Sequence, residues 1–384
     1  MSAAPGSRRA VSAAYFFVLA SGGAFIPYFP LYLAWLGLAG PEIGLVLAVN
    51  PAVRWTGAIL WAYAADRWRV RRRLLIAAAI GSTASLATLL IAHDFAHVAA
   101  ACAVIAFLSA PLIPLTDATV VDHLDLLGGD YGRVRAWGSV GFVGGSLIAA
   151  AVLGRFEAWV VPWLLIALQI GLPFAVAQLP RAQFGHASEF RAPWRLLNAP
   201  LAAFLASSFL FQLSSGAWGG FFAAYCRARG FSEAVPGIAW GFAVASEVAT
   251  LYFGRRLLAW LSPPDLMLAV LAVTASRYVL TAGAKSEIAA VLLQLGYGLG
   301  FAGFHLSAQQ LLARLVPQRS TTNGQALYGF VSFGLGGSLG FVLAGSLVDR
   351  LGPPGLFAFE AALAAAAIVP TLWLRSLLGR APAR

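Results

Sequence analysis

Six side chains stand where an apolar sequence has no ordinary use for them. Arg54, Asp117, Arg135, Glu247, Arg277 and His305 each fall within, or just inside, a run long enough to cross a bilayer. A charge at the bilayer centre costs about 2.5–3.5 kcal/mol on insertion scales, so such groups line a polar cavity, pair with one another, or handle a solute or a proton. Arg54 and Glu247 carry opposite charge, and Asn50 lies one turn before Arg54 on the same helical face. This pair suits either a structural lock or a substrate and proton site, and Glu247 is the best placed of the six to take up and release a proton. Arg277, midway through its run, fits a partnership with Glu247, an anionic substrate or a purely structural partner. His305 precedes Gln309 by one turn, a polar stripe that is read as cavity lining or as a satisfied structural histidine.

These residues need helices to carry them. Of the 384 residues 60% are hydrophobic and only 11% charged, against about 25% charged in soluble domains. The mean hydropathy is +0.79. Such a chain finds its solvent in a bilayer. Apolar runs of about 20 residues predict twelve spans: 11–36, 42–65, 74–92, 97–121, 131–154, 158–178, 200–226, 232–254, 265–284, 286–310, 323–347 and 354–375. The longest polar connector, 179–199, divides them into an N-terminal bundle (1–178) and a C-terminal bundle (200–384). The first run, preceded by Arg8 and Arg9, is too long for the core of a secretory signal and reads as a retained helix. Cys102 and Cys226 suggest neither a disulfide framework nor a metal site, and no residue set calls for a cofactor.

Charge gives the orientation. With the N-terminus inside, 19 of the 26 lysines and arginines fall in cytoplasmic segments and five in outer ones, with Arg54 and Arg277 inside helices. This is the asymmetry that places both termini in the cytoplasm of a bacterial-type inner membrane. The same distribution accounts for the net charge of +11 without nucleic acid, since these charges lie at lipid headgroups.

The two halves repeat. Tyr32, Gly37 and Gly44 match Tyr225, Gly230 and Gly237 at an offset of 193, while Gly144-Gly145-Ser146-Leu147 matches Gly336-Gly337-Ser338-Leu339 at 192. On these offsets Arg54 corresponds to Glu247 and Asp117 to Gln309. Parallel repeats of this kind occur in secondary transporters, with the substrate site near the midplane between the halves. Two glycine strings that mimic enzyme motifs, Gly336–Gly340 (G-x-S-x-G) and Gly296–Gly300, lie in apolar helices with no preceding strand and read as close-packing surfaces.

The segment Ala65-Asp66-Arg67-Trp68-Arg69-Val70-Arg71-Arg72-Arg73 resembles the helix 2–3 signature of the major facilitator superfamily, with Ala62 and Arg69 in place of its two glycines. The resemblance implies a gating role for Asp66 and Arg67. Pro111–Ala118 followed by Asp130–Phe142 resembles the phenylpropionate permease family, and this likeness extends over most of the chain. It is similar, more distantly, to the lactose permease family, which carries an acid and an arginine spaced as Asp117 and Arg135 are. That likeness implies sugar-hydroxyl binding for this pair, and matches Glu247 and Arg277 to an acid on helix 8 and an arginine on helix 9. The proton-coupling His and Glu of that family align with Gly296 and Leu299 here, so His305 does not inherit their role.

The expectation is an all-α membrane protein of the major facilitator fold: two six-helix bundles, working as a monomer, that rock around a central cavity. It is expected to move a small organic solute together with a proton, with no enzymatic activity. Substrate binding falls to Asp117, Arg135, Arg54, Arg277 and Asn50, proton coupling to Glu247 and His305. An aromatic carboxylate such as phenylpropionate suits the arginines. A sugar or nucleoside suits the Asp117–Arg135 pair, and drug efflux is also open. A polytopic sensor or intramembrane enzyme would need a soluble signalling domain or a clustered nucleophile and base, and the sequence offers neither.

Overall fold

The computed structural model describes residues 5–123, 131–180 and 196–379, and all of the regular structure among them is helical. Two compact units result, one of Met1–Ala187 with Pro236–Gly241, the other of Ser188–Val235 with Phe242–Arg384. The first holds α1 (Pro5–Trp35), α2 (Gly40–Trp68), α3 (Arg71–Ser85), α4 (Phe95–Ser109), α5 (Leu112–Asp122), α6 (Tyr131–Leu153), α7 (Val161–Gln169) and α8 (Leu172–Ala177). The second holds α9 (Ala199–Leu213), α10 (Phe222–Ala228), α11 (Val235–Tyr252), α12 (Gly254–Trp260), α13 (Pro263–Ala282), α14 (Glu287–Leu292), α15 (Leu295–Leu315), α16 (Thr321–Gly329), α17 (Gly337–Ala366) and α18 (Ile368–Gly379). α11 is the exception to this division, since its first turns, through Gly241, group with the first unit.

Ten stretches among the described residues are long and apolar enough to span a bilayer. Short breaks inside several of them have local causes. α4 gives way to α5 at Pro111, and α7 to α8 at Gly171 before Pro173. Proline removes a backbone donor and clashes with the preceding turn, so the helix restarts there. The longest stretch, Asn323–Gly379, contains two of the expected spans. It turns at Gly352, whose φ of +65° suits glycine, followed by Pro353 and Pro354. The expected 232–254 forms α11, with α12 continuing beyond it. Side-chain caps mark helix starts: Asp94, Asn198, Ser262 and Ser286 each accept the backbone N–H of a first-turn residue. Asp94 also bonds the His97 ring, and these contacts hold its carboxyl below the usual carboxylate range.

The internal repeat is visible in contacts as well as in letters. Gly37 and Gly230 both adopt positive φ, +85° and +72°. Upstream of each, a buried tyrosine reaches across its unit: Tyr32 Oη donates to Leu89 O at 2.7 Å, and Tyr225 Oη to Thr281 O at 2.6 Å. In the first unit α1 and α6 approach so closely that a Cβ on Gly141 or Gly145 would strike the carbonyls of Phe16 and Ala20. In the second unit Gly336 and Gly340 face the carbonyls of Phe209 and Leu213 in the same way. Phe16 and Ala20 correspond to Phe209 and Leu213 at 193, yet the glycines correspond at 195. The offset of 192 read from the Gly-Gly-Ser-Leu strings is therefore corrected by three residues on this face. A π-helical segment, Phe330–Gly336, precedes α17 in the second unit.

The basic turn after α2 docks on the far end of the first unit. Arg71 Nη1 pairs with Asp122 Oδ2 at 2.5 Å, and Arg72 donates to the carbonyls of Ala177 and Leu179 at 2.6 and 3.2 Å. Arg69 closes α2 in the left-handed region (φ +54°, ψ +39°), the one non-glycine residue to do so among those described. The signature's glycine at this position has a conformational reason, and arginine meets it with strain of about 1–2 kcal/mol. Arg69→Gly is accordingly expected to stabilise the protein by about 1 kcal/mol, seen as a raised thermal midpoint of the detergent-purified protein. An unchanged or lowered midpoint would mean that the arginine side chain offsets its own strain.

Candidate functional site

In the first unit the acid is held by phenols. Asp117, on α5, accepts hydrogen bonds at Oδ1 from the hydroxyls of Tyr15 on α1 and, at 3.0 Å, of Tyr131 on α6. Arg135, one turn beyond Tyr131, lays its guanidinium over the Tyr15 ring, with Cζ 5.1 Å from the ring centre. The expected acid–arginine pair is thus assembled, but through Tyr15: no ion pair joins the two directly among the described residues. Asp117 and Arg135 are both half-buried. A carboxylate with one oxygen committed to two donors and a guanidinium with spare N–H groups offer the acceptor and donor that a polar solute needs. Arg54 and Asn50 sit a turn apart on α2, both half-buried, and no hydrogen bond ties them to this cluster. Arg67 is exposed at the end of α2; the Asp66 side chain lies outside the described residues.

In the second unit the centre is Arg277, on α13 and only 4% exposed. Its guanidinium lies 4.3 Å from the ring centre of Tyr278, 5.2 Å from that of Trp218 and 5.7 Å from that of Tyr297. Contacts of this kind contribute about 0.5–2 kcal/mol each when desolvated. Its hydrogen bond runs from Nη1 to the neutral amide of Gln294 at 2.5 Å, and Gln294 is in turn anchored to Thr281 and to the Ala290 carbonyl. Nε has no partner. The side chain packs against Gly296, where a Cβ would sit 3.3 Å from Arg277 Cδ. A side chain at Gly296 would press on this arginine, and the glycine leaves that space to it.

Glu247, half-buried on α11, adjoins α15: its backbone nitrogen abuts Gly298, and the neighbouring Ser246 hydroxyl donates to Leu295 O at 2.8 Å while accepting from Gly298 N at 3.1 Å. His305 stands further along α15, with Gln309 Nε2 3.5 Å from its Nε2. Gln325 Nε2 donates to Gln309 Oε1 at 2.6 Å, which extends the expected stripe onto α16.

Sequence reasoning missed the aromatic and amide partners Tyr15, Tyr131, Trp218, Tyr297 and Gln294, which carry no charge to flag them. It also missed Glu360, an acid inside the expected span 354–375 and 2% exposed on α17. The rule that picked out Glu247, an ionisable group within an apolar run, picks out Glu360 as well.

Two helical units, each carrying polar and aromatic side chains on membrane-length helices, are the build of a multi-pass membrane protein. The chain belongs to the MFS_1 like family, whose model matches residues 9–359. It is 29% identical over 380 residues to the "Probable 3-phenylpropionic acid transporter" of Escherichia coli (strain K12), covering 96% of this chain and 97% of that one. It is 26% identical over 341 residues to the maltose permease of Geobacillus stearothermophilus, covering 88% and 86%. Among solved structures it resembles nucleoside transporter NupG with a TM-score of 0.84 at 16% identity, over 97% of this chain and 98% of that one. The major facilitator fold is thereby established, and with it a membrane transporter of a small molecule rather than an enzyme.

Proposed function

We propose that the protein is a proton-coupled symporter of an aromatic carboxylate of the phenylpropionate type. The observation that carries this reading is Arg277: a buried cation, set among three aromatic rings, whose hydrogen-bond partner is a neutral amide. A buried charge without an ion partner is costly. A substrate carboxylate supplies the missing charge, and its aryl group the apolar contact the rings favour. The relative at 29% identity has the same substrate class in its name. Glu247 and His305 are the groups we assign to the proton, and Asp117, Arg135, Arg54 and Asn50 complete the binding surface.

The two bundles, 1–178 and 200–384 joined by 179–199, alternate access in this reading, with Asp66 and Arg67 at the gate and the monomer as the working unit. The excess of arginines on one side supports the reading that both termini face the cytoplasm of an inner membrane. A proton moving with the field gains about 2.3 kcal/mol per 100 mV, which drives accumulation without nucleotide.

Uptake of labelled 3-phenylpropionate into proteoliposomes under an imposed pH gradient tests the proposal. Glu247→Gln is expected to abolish gradient-driven accumulation while leaving substrate exchange across the membrane intact. Accumulation at the parental level in that variant would remove Glu247 from the proton site. A second reading, a sugar as substrate, is favoured by the Tyr15–Asp117–Tyr131 cluster, whose phenols and carboxylate suit hydroxyl groups, and by the maltose permease likeness. Uptake of a disaccharide in place of phenylpropionate in the same vesicles would decide for it.

A further inference from the structure

The Glu360 carboxyl is buried against a break in another helix. α9 ends at Leu213, and the chain resumes through a π-helical segment, Ala217–Phe221, before α10. Backbone amides at such a junction lack the usual acceptor four residues back. Glu360 Oε1, from α17, accepts the Ala217 N–H. Oε2 has no partner. Gly216 faces the backbone of Gly340 and the Ala344 methyl with no space for a Cβ, so the break is also pressed against the part of α17 before its turn at Gly352, while Glu360 reaches it from the part beyond. The residue that this junction delivers is Trp218, whose ring covers Arg277. No ion pair joins Glu360 to Arg277 among the described residues.

We infer that Glu360 is a positioning residue of the substrate site: it fastens the π-helical turn of the seventh span so that Trp218 is held on Arg277 in the geometry that receives the substrate carboxylate. The inference rests on the aromatic-carboxylate reading for its substrate but not for its tether. A carboxyl oxygen is well suited because it accepts an amide that the break in the helix leaves without its usual acceptor. Its one-sided use, with Oε1 engaged and Oε2 open, fixes the turn without drawing Arg277 into an ion pair that would compete with substrate.

The test compares Glu360→Ala and Glu360→Gln with the parent in two measurements. Amide exchange of the segment 214–221 in detergent is expected to accelerate by about 100-fold in Glu360→Ala, and to stay near the parent in Glu360→Gln, whose side-chain carbonyl still accepts Ala217 N–H. In proteoliposomes the KM for 3-phenylpropionate is expected to rise roughly tenfold in the alanine variant, with Vmax per folded protein changed less than twofold and KM recovered in the glutamine variant. If the alanine protein does not fold, Glu360→Asp, which withdraws the carboxylate by one methylene, replaces it with the same expected readings. Parental exchange in the alanine or aspartate variant would overturn the tether. Fast exchange with an unchanged KM would overturn the positioning role. A parent protein that ignores phenylpropionate would sink the substrate reading instead, leaving the exchange measurement to judge the tether alone.

Discussion

Arg277→Gln is expected to reduce Vmax/KM for 3-phenylpropionate by on the order of 100-fold or more, because losing one member of a desolvated charge contact costs about 2–5 kcal/mol. The glutamine keeps some of the volume among Trp218, Tyr278 and Tyr297 and can still meet the Gln294 amide, so folding should survive. Arg277→Lys keeps the charge but neither the planar stack nor the two-pronged donor, and is expected to fall between parent and glutamine, roughly tenfold down. Uptake assays with purified variants, normalised to monodisperse protein, read both. Parental uptake in the glutamine variant would reduce Arg277 to a structural cation and take the central support from the anionic-substrate reading. An intact uptake of neutral sugars beside a lost uptake of the aromatic acid would locate the anion requirement at this one side chain.

The other large effect concerns the tight contact between α1 and α6. Gly145→Val is expected to destabilise the first unit by more than about 3 kcal/mol, enough to remove most of the folded protein. The added Cβ would overlap the Ala20 carbonyl, and backbone on both sides gives no flexible group to yield. Small residues at such crossings are what let membrane helices approach through van der Waals contact. Its neighbour provides the control. A Cβ on Gly144 meets nothing within 4 Å, so Gly144→Ala is expected to be neutral or to stabilise by up to about 1 kcal/mol through helix propensity. Yield of monodisperse protein and the thermal midpoint separate the two. Equal behaviour of both variants would show that α1 and α6 part more easily than their contact suggests.

Much of the architecture was legible in the residues because the bilayer imposes a coarse rule. Twenty apolar residues make a span, arginine clusters mark its ends, and the repeat shows itself in Tyr32 and Tyr225 before Gly37 and Gly230. The glycines' positive φ and the two matching tyrosine bonds bear that repeat out. Register was less legible. A string such as Gly-Gly-Ser-Leu is the same wherever it slides along a helix, and only the carbonyls opposite it reveal that Gly141 and Gly145 pair with Gly336 and Gly340. The charged members of the candidate site were also within reach, since Asp117, Arg135 and Arg277 stand out against an apolar background. Their partners were not, because tyrosine, tryptophan and glutamine in a membrane helix are unremarkable until geometry puts a ring under a guanidinium. Arg69 lies between these cases: its place in the signature marked a departure from glycine, but the backbone angle that explains the glycine emerges only from the folded turn.

Both π-helical segments among the described residues, Ala217–Phe221 and Phe330–Gly336, belong to the second unit. A π-turn stores one surplus residue, and the surplus can migrate along a helix by exchanging one backbone hydrogen bond at a time, without unwinding the whole span. The two halves, alike in their turns and tyrosine bonds, are therefore unlike in how their helices are wound. One of these segments, Ala217–Phe221, carries Trp218, the ring that lies over Arg277, so the surplus residue sits directly beside the second unit's buried cation.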